Sequence, residues 1–483
     1  MEAAVRWLAS RIELPAAPPA DRPASSFAAF LLLLAAREET AALDGWGEPG
    51  AADAAFETFF AALRAEPAME AARAELDLFA MTATATGVAS PEAASRALER
   101  VIGDFPGHWP SFAALGQVRA IAGDPSGAAD AFERAVELMP GRASLRFDLG
   151  IALLRAGRTG KASKTLETVR SDPRVGPAAL FELGRLREQK GDPEGSFELL
   201  KEAAALAPDL PDLWATLGRA HVGRGEFAAA EDAFRRGLSA GAPSPALRRA
   251  YGVWLAEEGR FPEAVEQLTE LLKLSADEPL AHLHLGRADL AAGKREPARH
   301  HLRKALRAGG EVAEAARKVL ADFFPVEREE QLLSALAKAL LRPAEEQVPF
   351  LEALISEESA FVEARVWLGI ALVARGKPRA AEKHFRRAQK IAPADPEVLS
   401  GLATALRARG KLKAADEAHV EALRLAPNHA PFHLNRADTL LRQNRAREAA
   451  REVDAARALD PRHPLLPNFV AAVKAFLTTG GDR

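Results

Sequence analysis

The sequence predicts an all-α fold, an α-solenoid of stacked antiparallel helix pairs in about ten to eleven units. Three observations carry this expectation. The chain repeats itself every 34 residues, and a small residue and a helix-ending glycine recur at fixed places in each repeat. No stretch outside the repeats alternates strand and helix patterns. At 483 residues the chain also exceeds the roughly 250–300 at which single cores stop growing, so it is several domains or one extended stack.

The register is set by 34-residue windows starting at Glu75, Trp109, Ala143, Pro177, Pro211, Pro245 and Pro279, which run without a gap to Val312. Three more start at Val362, Pro396 and Ala430 and end at His463. The eighth residue is small: Gly116, Gly150, Gly184, Gly218, Gly252, Gly286, Gly369, Ala403 and Ala437. The seventh is mostly large and apolar, as at Leu115, Leu149, Leu183, Leu217, Tyr251, Leu285, Leu368 and Leu402. A small residue beside a large one lets two helix backbones approach closely while the neighbour fills the space.

The fifteenth residue is Gly123, Gly157, Gly191, Gly225, Gly259, Gly293, Gly376 and Gly410, and then Asn444. A helix that ends on a left-handed residue takes glycine there, and asparagine tolerates that conformation best among the others. A second amphipathic helix follows. Its twentieth position is Ala94, Ala128, Ala162, Ser196, Ala230, Ala264, Ala298, Ala381, Ala415 and Ala449, where the helix crosses its partner. Four residues on, the same face carries Leu98, Phe132, Leu166, Leu200, Phe234, Leu268, Leu302 and Phe385. Pro106, Pro140, Pro208, Pro393, Pro427 and Pro461 then close many units, because proline lacks the amide hydrogen a helix needs.

This spacing, fullest in Trp214, Leu217, Gly218, Ala230 and Phe234, resembles the tetratricopeptide repeat and covers 340 of the 483 residues. The resemblance implies a right-handed superhelix that binds proteins. It also implies a concave surface lined by the first helix of each pair, through window positions 2, 5, 6, 9, 12 and 13. On those positions stand Arg155, Arg185, Arg219, Arg249, His284 and Arg287, which are the candidate peptide-binding residues. A row of guanidinium groups there favours a carboxylate-bearing or acidic extended peptide. Against this, Glu182, Glu188 and Glu257 also occupy groove positions and can neutralise the row from within.

Two better-defined mechanisms of the same family are disfavoured. The clamp for chaperone C-terminal tails needs a Lys/Asn set in three successive repeats. Here positions five and nine are Ala113 and Gln117, Phe147 and Ile151, Phe181 and Arg185. The glycosyltransferase-linked repeats carry asparagine at position six, which Asn435 alone matches beside Ala114, Asp148, Glu182, Thr216 and Ala250.

The expected organisation has five parts. Residues 1–74 form N-terminal helices and a degenerate hairpin, 75–312 seven contiguous repeats, and 362–463 three more. Residues 464–483 form a capping helix and tail, since a terminal repeat leaves one apolar face bare. Between the two repeat blocks, residues 313–361 equal one degenerate repeat plus a helix. They read either as an elbow or as a docking patch built on Phe323, Phe324, Leu340, Leu341 and Phe350. Near the start, residues 27–43 and 51–65 form a hairpin with Trp46 and Gly47 in its turn.

Composition narrows the chemistry. Without cysteine there is no disulfide framework, thiolate metal site or cysteine nucleophile, and a cytoplasmic location fits. The apolar run 27–36 is about half the ~20 residues that cross a bilayer. Its use as a signal or anchor is the alternative, giving a periplasmic or membrane-associated protein. Abundant Ala, Gly, Pro and Arg point to a GC-rich bacterial source. Net charge is −3 overall but −8 over residues 1–108 and +9 over 361–483. The C-terminal basic residues are interleaved with acids and have few aromatic neighbours, so a solvated face is expected rather than a nucleic-acid surface.

Histidines come nearest to a metal site and fail on spacing. His282 and His284, and His300 and His301, point to different helix faces, and Pro431 separates His429 from His433. No metal, cofactor or catalytic residue is expected. Paired acids such as Glu329 and Glu330, or Glu345 and Glu346, read as helix-start carboxylates. The function expected is a non-catalytic scaffold or adaptor gripping one extended or helical segment. The alternative is a regulatory array serving a transferase or oxygenase domain on a partner chain.

Overall fold

The computed structural model describes residues 51–478 except 67–68, 86–87, 211, 241–243, 276–277 and 462, together with Ala36. Among the described residues there are 25 helices and no strand. Apart from Ala36, the helix expected over 27–43 lies outside them, as do its turn at Trp46 and Gly47 and the tail at 479–483. Two compact units divide the chain, one through Leu210 and one from Pro211.

The first unit holds α1 (Ala51–Ala65), α2 (Glu70–Ala85), α3 (Pro91–Asp104), α4 (Trp109–Ile121), α5 (Pro125–Leu138), α6 (Ala143–Arg155), α7 (Thr159–Glu167), α8 (Gly176–Gln189) and α9 (Pro193–Leu206). The second begins with α10 (Leu213–Gly223), α11 (Phe227–Ser239), α12 (Pro245–Glu257), α13 (Phe261–Leu274), α14 (Pro279–Ala291) and α15 (Arg295–Leu306). It continues with α16 (Gly310–Ala321), α17 (Val326–Leu340), α18 (Ala344–Glu357), α19 (Val362–Ala374) and α20 (Pro378–Ile391). It closes with α21 (Pro396–Ala408), α22 (Leu412–Leu425), α23 (Ala430–Arg442), α24 (Ala446–Leu459) and α25 (Leu466–Thr478). Each unit is an all-α solenoid in which the two helices of a window pack as a pair and successive pairs stack.

Local chemistry sets the helix ends. Asp124, Asp192, Ser244 and Asp395 accept amide hydrogen bonds at the starts of α5, α9, α12 and α21. The fifteenth-position glycines all have φ between 69° and 79°, and Asn444 shares that conformation at φ 59°. The left-handed turn is therefore the shared device, and glycine is its usual occupant.

Packing explains the small eighth residue. A Cβ at Gly116 would meet the Phe132 ring at 2.7 Å, one at Gly150 Leu166 at 2.5 Å, and one at Gly369 Phe385 at 2.5 Å. Eighth and twenty-fourth positions thus face each other across every such pair. The twentieth-position residues Ala94 through Ala449 are all buried at the crossing.

The segment 313–361 supplies α17 and α18, after an added helix α16 that starts at Gly310. Its apolar residues do not form one patch. Phe324 is buried with the guanidinium groups of Arg295 and Arg299 over its ring, and Leu340 packs on the core. Phe323, Leu341 and Phe350 are exposed, and Arg342 sits 3.8 Å over the Phe350 ring.

One buried polar cluster in the first unit makes a pH-dependent contribution. Ser111 donates to Asp77 at 2.7 Å, His108 Nδ1 is 2.8 Å from the Ser111 hydroxyl, and Asp77 and Ser111 are buried. Burial pushes the Asp77 carboxyl up to about 7, against the opposing pull of Ser111 and Arg73. The folded state therefore holds a proton that the unfolded state releases near pH 4. The Asp77 contribution to stability is complete below that pH and falls, by on the order of a few kcal/mol, as pH rises from about 4 to 7. Urea unfolding of Asp77→Asn across this range should show that slope flattened. An unchanged slope would assign it to another group.

Candidate functional site

Within the first unit, the first helices of three successive pairs, α4, α6 and α8, bound two neighbouring hollows. One, of about 470 Å³, is lined by Gln117, Phe147, Asp148, Ile151 and Arg155 over a floor that includes Phe132. The next, of about 330 Å³, is lined by Ile151, Leu154, Arg155, Glu182, Arg185 and Gln189. All of these except Phe132 occupy the window positions that the family resemblance implies line the groove. Ile151 and Arg155 belong to both hollows.

The charges differ in availability. Arg155 is exposed and makes no ion pair among the described residues. Arg185, half exposed, donates to Glu182 at 3.1–3.2 Å, so one turn of α8 neutralises itself. Asp148 lies desolvated in the wall, and burial raises its carboxyl to about 6. The hollows therefore offer an apolar lining with one uncommitted guanidinium and one carboxyl that ionises reluctantly.

In the second unit, Arg219 is exposed without an ion pair among the described residues. Arg249 donates to Glu278 at 3.1 Å, the carboxylate that begins the next pair. His284 is buried and neutral at neutral pH, since burial and then Arg287 lower it to about 4. Its Nδ1 lies 3.3 Å from the Arg287 guanidinium. It is a packed residue there, not a surface one.

The second unit also contains a polar network that residue-by-residue reading missed. On α15, Arg299, His300, Arg303 and Lys304 share one face and meet four carboxylates from distant segments. Glu329, fully buried, accepts from Arg299 at 2.7 Å and Arg303 at 2.5 Å, and Glu358 lies 2.7 Å from Arg299. His300 lies 3.2 Å from Glu363 and 2.8 Å from Asp395, and Lys304 lies 2.7 Å from Asp395. The other Asp395 oxygen caps α21 through the amides of Glu397 and Val398. Glu329 stands in the first turn of α17, as expected of a helix-start carboxylate, but it is buried and bridges two arginines. Burial alone would discharge His300, but Glu363 and Asp395 outweigh it and raise the imidazole to about 9. The local signal was five basic side chains within the six residues 299–304.

Tetratricopeptide-repeat models match residues 89–143, 120–180, 188–252 and 362–405. No curated protein matches the chain in sequence. Among solved structures it is similar to PilF of Pseudomonas aeruginosa, at 17% identity and TM-score 0.37, covering 43% of this chain and 93% of that one. It is similar to residues 41 to the end of MamA from Desulfovibrio magneticus RS-1, at 22% identity and TM-score 0.30, covering 34% and 92%. It is also similar to the Cut9–Hcn1 hetero-tetramer, at 14% identity and TM-score 0.29, covering 80% and 93%. No partner or activity transfers from likenesses of this strength. The family-model matches fall on the same helix pairs whose glycines, alanines and turns were described above, and over these residues the chain carries tetratricopeptide repeats.

Proposed function

We propose that this chain is a non-catalytic, cytoplasmic bacterial scaffold whose first unit grips an extended or helical protein segment between α4, α6 and α8. The observation that carries the reading is the pair of adjoining hollows sharing Ile151 and the uncommitted Arg155. A segment laid there buries apolar side chains against Phe147 and Ile151 and sets a carboxylate on Arg155. Pre-formed helices lose little ordering entropy on binding. Arg185 would have to exchange Glu182 for a partner's carboxylate, so Arg155 is the stronger contact in this groove. His284 supports its helix without touching the partner.

The test is affinity capture from the native host with wild type and Arg155→Glu, read at two salt concentrations. The expected result is a partner bound at least about tenfold more weakly by the variant, with a flatter salt dependence. A partner held equally by both, with unchanged salt dependence, removes the first unit's groove from the account.

A further inference from the structure

The second unit encloses a cavity that the groove reading does not use. Its volume is about 410 Å³. One side is α13, α14 and α15, and the other is the α20–α21 turn together with the end of α22 and the start of α23. Val265, Leu272, Leu285, Ile391, Leu425 and Phe432 supply apolar wall. Deeper in, the His282 and His301 rings stack at 5.2 Å with their Nδ1 atoms 3.0 Å apart. Burial and the neighbouring His282 hold His301 well below its usual range, so its imidazole is uncharged at neutral pH.

The charged lining is mostly spent. His300, Lys304 and Asp395 belong to the network on α15. Lys294 lies 3.9 Å from Asp289, and Glu397 sits close enough to Lys304 to raise the latter's basicity. Lys390, exposed in the last turn of α20, makes no ion pair among the described residues. An apolar chamber with one unspent ammonium at its rim has the chemistry of a site for an amphipathic anion.

We propose that this cavity binds a medium-chain monocarboxylate, its alkyl chain lying between the two sets of helices and its carboxylate on Lys390. At about 30 Å³ per water-sized group, the volume accommodates on the order of a dozen heavy atoms. The ligand touches both sides that the α15 network joins, so occupancy reinforces that contact.

The test is calorimetric titration of the full chain with octanoate and, as its uncharged counterpart, octan-1-ol. Octanoate is expected to bind at one saturable site and octan-1-ol about tenfold more weakly. Val265→Trp, which fills the chamber from a partly exposed wall position, should abolish both. Lys390→Glu, a surface change, should weaken octanoate about tenfold and leave octan-1-ol unaltered. Absence of octanoate binding at millimolar concentration, or binding to Val265→Trp as to wild type, overturns the site. Equal binding of acid and alcohol with no effect of Lys390→Glu overturns the carboxylate assignment.

Discussion

Glu329→Gln should cost the second unit about 3–5 kcal/mol, because it leaves Arg299 and Arg303 buried without their shared carboxylate. Arg303 is almost wholly buried against the Phe361 ring at 4.6 Å, so it cannot turn outward to water. The neighbouring Glu330→Gln is the internal control. Glu330 pairs with Arg317 at the surface, and losing that pair should cost no more than about 1 kcal/mol. Urea unfolding of the full chain compares the two. Equal costs would mean that the buried network contributes no more than a surface ion pair.

The same network predicts stability confined to a pH window. His300 is raised to about 9, so its contribution is complete below its unfolded value near 6.5 and fades as pH rises toward 9. Glu363 moves the opposite way. Burial would raise it, but His300 and Arg303 bring it down to about 2. Its contribution is complete above about 4.5 and is lost as pH falls toward 2. Both are present between about pH 5 and 6.5, where this part of the fold should be firmest.

Phe234→Ala should cost about 3–5 kcal/mol by opening a cavity in the second unit. Phe234 is fully buried, stacks on Tyr251 at 5.1 Å and lies 5.8 Å from Trp254. It also fills the space that Gly218 leaves, where a Cβ would come within 2.4 Å of its ring. Gly218→Ala alone should therefore cost about 1–3 kcal/mol through overpacking. In the Phe234→Ala background the same change should cost little or nothing, since the obstructing ring is gone. A double-mutant cycle reads the coupling directly. Additive costs would show that the two positions do not share one space.

Such pairs were legible because they are periodic. Gly218 and Phe234 lie sixteen apart, as do Gly116 and Phe132 and Gly369 and Phe385, and repetition makes a modest local preference unmistakable. Asn444 was legible for the same reason, since its place in the register demanded a left-handed residue. The groove positions were implied by the family resemblance, and the register placed Ile151 and Arg155 on two of them. The Arg185–Glu182 pair was visible as a three-residue spacing on one helix.

What escaped was aperiodic. His300 meets Asp395, which lies 95 residues away across the irregular segment, and Arg299 meets Glu329 at a separation of 30. Nothing local distinguishes Glu329 from the half-buried Glu330 beside it. Only the path of α16, α17 and α18 decides which carboxylate is enclosed. The Asp77–Ser111 contact lies one repeat apart, at equivalent window positions, but the polar pair there has no counterpart in the other repeats to advertise it.

The central claim is that a protein segment lies between α4, α6 and α8, and photo-crosslinking in the native host tests it most directly. A photoreactive residue at Ile151 should give one discrete adduct, abolished when Arg155→Glu is added, while the same residue at Lys161, on the exposed face of α7, should give none. Equal adducts from both positions, or an Ile151 adduct indifferent to Arg155→Glu, would contradict the account.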